Sequence, residues 1–297
     1  MAPTVSPIAR FLMRVVFSCY RSVRLVVLRL TSPTDERAAR AVVSGAAWDE
    51  FCDTLKAAGA SLVAPGAPTD AFNQAEGYRY LARLTRAGLE NFLECADPEA
   101  PRLCAIANGD RPAPVKLGSD NPDNLYENAT IDGRLEYVVS GTRGTVSYLG
   151  LGTQSGSYGG KGGLATVDYV EAESLTYDDA ARTRFTLVLS AVRPEGAVNW
   201  LELRPDPPEA MFIVRQTFAL RSKETPAALT IARRAPTGGA AAVAAVAPAP
   251  LTPAKLEAAL QSTGLLVAGA SAMFAKWAHG FQGHANALPL FDQARFA

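Results

Sequence analysis

Arg134-Leu135-Glu136-Tyr137-Val138-Val139 and, further on, Phe185-Thr186-Leu187-Val188-Leu189-Ser190 decide how this chain is read. In both, large apolar side chains recur at every second position: Leu135, Tyr137 and Val139 in one, Phe185, Leu187 and Leu189 in the other. Successive side chains of a strand point to opposite faces, so this period predicts strands with one face buried. Met211 to Leu220 and Leu229 to Ala232 continue the habit, and Gly141 to Gly144, Tyr177 to Ala180, Pro194 to Gly196 and Arg204 to Pro208 supply turns between the runs. Short strands punctuated in this way predict an antiparallel, jelly-roll-like β-sandwich over residues 105–234.

Upstream the period becomes helical. Glu36 to Ala60 reads as one or two helices, and Phe72 to Leu93 as a clearer one, with Tyr78, Leu81, Leu84, Leu89 and Phe92 on one side and Arg79, Arg83, Arg86, Glu90 and Glu94 opposite. Residues 35–104 are thus expected to form a helical region. Downstream, residues 235–251 hold almost only Ala, Gly, Val and Pro, too few large side chains for a core, and read as a linker. Thr252 then caps a long helix with Pro253 in its first turn, and Leu260, Val267, Phe274 and Phe281 form an apolar seam along it. The fold class is therefore α+β, and 252–297 is expected to be a C-terminal helix that opens an incomplete second domain.

Residues 1–34 differ from the rest. They carry Arg10, Arg14, Arg21, Arg24 and Arg29 before any acidic residue, and the first four of these fall within roughly 80° of a helical wheel. No arginine-free apolar stretch there approaches the roughly eighteen residues of a membrane span. Three readings stay open: an organelle transit peptide, mitochondrial or plastid; a membrane-surface helix over residues 8–30; and an ordinary docked helix in a cytoplasmic protein.

Lysine plus arginine and aspartate plus glutamate both number 29, so no net positive field gathers nucleic acid. Cys19, Cys52, Cys95 and Cys104 lack Cys-x-x-Cys spacing, and His279 and His284 stand five apart, off one helical face. No metal or other cofactor is expected, and Cys52 and Cys95 read as buried free thiols. No Gly-x-Ser-x-Gly elbow occurs. The glycine-rich stretch Gly150 to Gly163 fails the phosphate-loop pattern, because Ser155 and Gly162 stand where Gly and Ser or Thr are needed, and reads as a flexible loop at a sheet edge.

The polar run Asp120-Asn121-Pro122-Asp123-Asn124-Leu125-Tyr126 invites two readings, tight turns made by Asx side chains and a ligand site of oxygens beside an aromatic ring. Arg215 and Gln216 interrupt the apolar run of Met211 to Leu220, so at least one is expected inside the sandwich, Arg215 by default pairing with Glu202, Asp206 or Glu136. Asn128-Ala129-Thr130 matches the glycosylation sequon, which the arginine-rich start argues against using.

Several segments together resemble bacterial proteins that carry domain of unknown function 1214: Glu76 to Glu90, Gly118 to Tyr126, Gly141 to Gly150, Asn199-Trp200-Leu201, Ile213 to Phe218, Ala275 to Gln282 and Leu288 to Gln293. The resemblance runs from about Trp48 onward and leaves out the arginine-rich start. It implies a further aromatic-rich β region beyond Gln293, which this chain, ending at Ala297, largely lacks.

The functional expectation is a β-sandwich module that binds a small polar or amphipathic ligand, saccharide-like or steroid- or lipid-like, through Asn121, Asp123, Asn124, Tyr126, Tyr158, Trp200 and Arg215. One alternative is an enzyme using Asp120 or Asp123 with Arg215 in a cleft. The other is a structural module that self-associates through the C-terminal seam.

Overall fold

The computed structural model describes residues 35–107, 115–118, 120–157, 164–237, 239–284 and 286–287. The arginine-rich start, Tyr158 and the segment 158–163 lie outside the described residues. Among the described residues four α-helices, α1 (Asp35–Val43), α2 (Ala46–Ala58), α3 (Ala71–Leu89) and α4 (Pro253–Gln282), accompany nine strands. The strands are β1 (Cys104–Ala107), β2 (Asn124–Asp132), β3 (Tyr137–Thr142), β4 (Tyr148–Gly156), β5 (Leu164–Glu171), β6 (Arg184–Ser190), β7 (Trp200–Glu202), β8 (Glu209–Thr217) and β9 (Ala228–Arg233).

One sheet has the order β1-β2-β8-β4-β5 and the other β7-β6-β3-β9. Every adjacent pair among these is antiparallel except β6 with β7, which is parallel, so the second sheet is mixed. The alternation that predicted the strands fills the space between the sheets. Leu125, Ala129, Ile131, Leu149, Leu151, Phe212 and Val214 of the first sheet meet Tyr137, Val139, Phe185, Leu187, Leu189 and Ile231 of the second in one buried cluster. Each large aliphatic or aromatic side chain buried there stabilises the fold by roughly 1.5–3 kcal/mol before chain entropy is subtracted. Polar groups enter this interior only with partners. Gln216, fully buried, donates to Glu127 (3.3 Å) and to the Ala227 carbonyl (3.2 Å) and accepts from the Ala227 N–H (2.7 Å), while Thr153 donates to the Glu202 carbonyl (2.7 Å).

Two helices begin where capping residues satisfy free N–H groups: Asp70 accepts from the Asn73 N–H (3.0 Å) ahead of α3, and Thr252 from the Lys255 N–H (3.2 Å) ahead of α4. α4 packs against α1, α2 and α3, burying Leu260 and placing Val267 and Ala268 among Ala58, Leu81, Leu84 and Ala87. The C-terminal helix expected to open a second domain thus completes the helical layer of residues 35–94, and the stretch before it is tied down, its Ala249 N–H donating to Asp97 (2.9 Å). α4 is long and apolar enough to cross a membrane, but half of its most apolar window is buried inside the fold. On α3 the buried residues are Leu81, Leu84, Ala87 and Gly88, and Tyr78 is half-exposed, so the apolar side is narrower than its periodicity implied.

Cys95 and Cys104 form a disulfide, which corrects the reading of Cys95 as a free thiol; Cys52 stays reduced and half-buried. The two were read apart because one ends a helix and the other starts a strand. The short π-helical turn Glu90–Glu94 brings the end of α3 beside β1, where the bridge joins helical layer to sheet.

Candidate functional site

Along the first sheet, odd-numbered residues of β2 and β4 and even-numbered residues of β8 face the core, and their neighbours face out. On the outer face Tyr126 of β2 stands opposite Arg215 of β8, and Arg215 opposite Gly150 of β4. Gly150 and Gly152 in turn lie opposite Glu171 and Tyr169 of β5. Two adjacent rows therefore cross the sheet, Tyr126, Arg215, Gly150 and Glu171 in one and Asn128, Ile213, Gly152 and Tyr169 in the next.

The glycines determine what this row looks like. A Cβ on Gly150 would lie 1.8 Å from the Tyr169 hydroxyl and 2.8 Å from that of Tyr148, and one on Gly152 3.0 Å from the Tyr169 ring. Tyr169 can thus lie over β4, where the residue stays 41% exposed. The Tyr148 and Tyr169 hydroxyls hydrogen-bond each other, and Tyr148 also donates to Glu171 (3.3 Å). Burial first, then these two partners, raise the Tyr148 hydroxyl well above its ordinary range, so it is a neutral donor near pH 7.

At the β2 end the Arg215 guanidinium sits over the Tyr126 ring, 5.6 Å from its centroid. Arg215 is exposed and makes none of the expected ion pairs. Glu136 binds Arg234 instead, and it is Gln216 that turns inward. The Asn124 amide donates to the Tyr126 hydroxyl (2.6 Å), while its carbonyl oxygen, on a side chain 7% exposed, has no hydrogen-bond partner among the described residues. The same holds for the carbonyl oxygen of Asn128, two positions further along this face and 4% exposed, which also rules its sequon out as an accessible acceptor in the folded chain.

Beside Tyr126 a cavity of about 260 Å³ opens between the sheet and the C-terminal half of α4, lined by Ile106, Ala107, Leu117, Asp120, Tyr126, Phe274 and Trp277. Phe274 packs edge-on to Trp277 and lies so close to Gly118 that any side chain there would overlap its ring. Tyr80 fixes this wall by donating to the Leu117 carbonyl (2.6 Å); burial, and then the Asp120 charge, push its hydroxyl up to about 12. The Asp120 carboxyl accepts from the Leu117 N–H (2.6 Å), and burial outweighs that bond and the Lys116 charge to raise its pKa.

Of the seven residues read from sequence, Asn124, Tyr126 and Arg215 meet here. Asn121 and Asp123 stay in the turn that leads into β2, Asn121 accepting from the Asp123 N–H (2.9 Å) and the Asp123 carbonyl from the Phe218 N–H (2.9 Å). Trp200 belongs to the other sheet, where its indole donates to Ser190 (2.9 Å), a structural bond. Tyr158 lies outside the described residues. Tyr148, Tyr169, Phe274 and Trp277 were missed, and so was the strand beneath them: Gly150, Gly152 and Gly156 belong to β4, not to a flexible loop. The signal was present, since Leu149, Leu151 and Thr153 alternate with those glycines. Among the described residues no group of His, Cys, Asp and Glu is arranged to hold a metal ion. Of the C-terminal seam, Phe274 lines the cavity and Phe281 is half-exposed.

No protein-family model matches the chain, and a search of curated proteins returns no match. Among solved structures, the crystal structure of an uncharacterized protein from Burkholderia cenocepacia is similar, with 41% sequence identity and a TM-score of 0.74. The likeness covers 86% of this chain and 66% of that one, so this chain spans just under two thirds of its relative's length. This α+β chain thus shares fold and sequence with a longer bacterial protein.

Proposed function

We propose that the outer face of the β1-β2-β8-β4-β5 sheet binds a small polar ligand, and that among such ligands a short saccharide suits it best. The observation that carries the reading is the row Tyr126, Arg215, Gly150, Glu171 with Tyr169 from the row beside it. Together they offer two tyrosines, a guanidinium and a carboxylate around a stretch of β4 that carries only glycines on this face. A sugar ring has an apolar C–H face and a rim of hydroxyls. It matches a tyrosine face flanked by charged donors and acceptors better than a steroid or lipid tail does. The four strands from β2 to β5 are spaced by about 4.8 Å, so the row extends roughly 14 Å, room for a few sugar units. The cavity walled by Phe274 and Trp277 adjoins the Tyr126 end. The segment Gly118 to Tyr126, which enters this site, also carries part of the resemblance to proteins with domain of unknown function 1214, and membership of that family is part of the proposal.

Titration calorimetry with cellotetraose, maltotetraose and chitotetraose tests the reading. Binding of at least one, weakened tenfold or more by Tyr169→Ala and by Arg215→Ala, is the expected result. No heat from any of the three at millimolar concentration would remove the saccharide. A second reading, acid–base chemistry at Asp120, draws on its raised pKa in a concave site. It is distinguished by turnover of a bound sugar that Asp120→Asn abolishes without changing affinity.

A further inference from the structure

A cleft of about 500 Å³ lies at the other end of β2, where the sheet meets the π-helical turn, the stretch before α4 and the first turns of α4. From Tyr126 to Ile131, which lines it, the strand rises about 17 Å, so the two sites are separate. Phe92, Leu93, Ile131 and Leu251 give it apolar walls, and its volume falls in the range of roughly 300–1,000 Å³ that drug-sized ligands occupy.

Its charge is one-sided. Glu94, Asp97, Asp132 and Glu209 line it against only Arg134 and Lys255, and Arg134 is already engaged by Asp132 (2.6 Å). Asp97 is held in place rather than neutralised: its two oxygens accept from the Glu99 N–H (3.1 Å) and the Ala249 N–H (2.9 Å), both uncharged donors. Among the described residues no ion pair joins Glu94, Asp97 or Glu209 to a cation. A cavity with apolar walls and excess fixed negative charge attracts an apolar body that ends in a cation, and repels the same body ending in a carboxylate.

We propose that this cleft binds an amphipathic organic cation, an apolar body with an amine head, independently of the outer-face site. The head lies toward Asp97 and Glu209, and the body against Phe92, Leu93 and Leu251. Ala258, exposed on α4 and lining the cleft, marks where a larger side chain would fill it without entering the core.

The test is calorimetric titration of the chain with 4-phenylbutylamine, 4-phenylbutanol and 4-phenylbutyrate, three probes of one shape that differ in charge. The expected order is amine over alcohol over carboxylate, with at least a tenfold gap between the first and last. Ala258→Phe should abolish amine binding, and both Asp97→Asn and Glu209→Gln should weaken it severalfold, each variant keeping the parent's circular dichroism and thermal midpoint within a few degrees. Glu209 is exposed and bears no described hydrogen bond through its carboxylate, so Glu209→Gln remains informative if either other variant folds poorly. Equal affinity for amine and carboxylate, amine binding that survives Ala258→Phe, or no binding at millimolar amine would overturn the proposal. Tyr169→Ala should leave amine affinity unchanged, so failure here and failure of the outer-face reading are told apart.

Discussion

β4 shows two faces with opposite chemistry. Leu149, Leu151 and Thr153 point inward and are fully buried, closing the sandwich against the second sheet. Gly150 and Gly152 point outward and leave a bare floor over which Tyr148 and Tyr169 bring their hydroxyls. The inner face is complete within the fold, since its polar groups find partners and its apolar groups find each other. Among the described residues the outer face leaves an exposed tyrosine, an arginine without a carboxylate partner and two buried amide oxygens without donors. Stability is concentrated on one side of the strand and the proposed recognition lies on the other, so substitutions one residue apart should separate the two properties.

The largest expected contrast follows from that. Leu151→Ala should cost about 2–5 kcal/mol in urea unfolding, because a fully buried leucine leaves a cavity between two well-packed sheets. Losing less than 1 kcal/mol would mean that the inner face is looser than described. Removing the disulfide by Cys95→Ser with Cys104→Ser should cost about 2.5–3 kcal/mol, the closure entropy of a loop whose ends are nine residues apart. That loss should equal the effect of reductant on the parent chain, and a parent indifferent to reductant would show the bridge to be absent.

On the outer face the effects on stability shrink while those on binding grow. Gly150→Ala displaces the ends of two tyrosine side chains rather than any backbone, and Tyr169→Ala removes the ring of a residue that is two-fifths exposed. Each should cost about 1 kcal/mol or less. Each should nonetheless weaken saccharide binding about tenfold. A Gly150→Ala variant that binds normally would show that the two hydroxyls need not sit over the strand.

The smallest effect sharpens the inner face. Burial raises the Glu127 carboxyl above its ordinary 4.5, only partly offset by the bond from Gln216. The unfolded chain therefore releases this proton first, and folding stability attributable to Glu127 falls as pH rises from 4.5 through the folded value. Glu127→Gln keeps an acceptor for Gln216 and removes the charge. It should leave stability at pH 7 equal or higher, by about 1 kcal/mol at most, and flatten this part of the pH profile, as denaturation at pH 4, 5.5 and 7 would reveal.

The inner face was legible in the sequence and the outer face only partly. Leu135, Tyr137, Val139, Phe185, Leu187 and Leu189 announce strands because a buried face must be apolar at every second position. Asn124, Tyr126 and Arg215 could be singled out because polar and aromatic residues at a strand's start, or inside an apolar run, require a reason. β4 escaped because its outward positions are glycines, so composition signalled a loop while the alternation of Leu149, Leu151 and Thr153 signalled a strand. Tyr169 went unnoticed because its role depends on those glycines across the ladder, a pairing fixed only when β5 folds beside β4. Trp200 was misplaced for a related reason: sequence distance does not tell which sheet a three-residue strand joins, and β7 joins β6 in parallel. The pairing of Cys95 with Cys104 likewise depends on how the turn after α3 meets β1.

The central claim is that recognition resides on the outward side of β2, β8, β4 and β5. Amide chemical-shift mapping of the ¹⁵N-labelled chain during titration with the tightest-binding of the three tetrasaccharides tests it most directly. The account predicts shifts concentrated at Tyr126, Gly150, Gly152, Tyr169 and Arg215, with β3, β6 and β9 silent. Shifts centred on the second sheet, or none at saturating sugar, would contradict it.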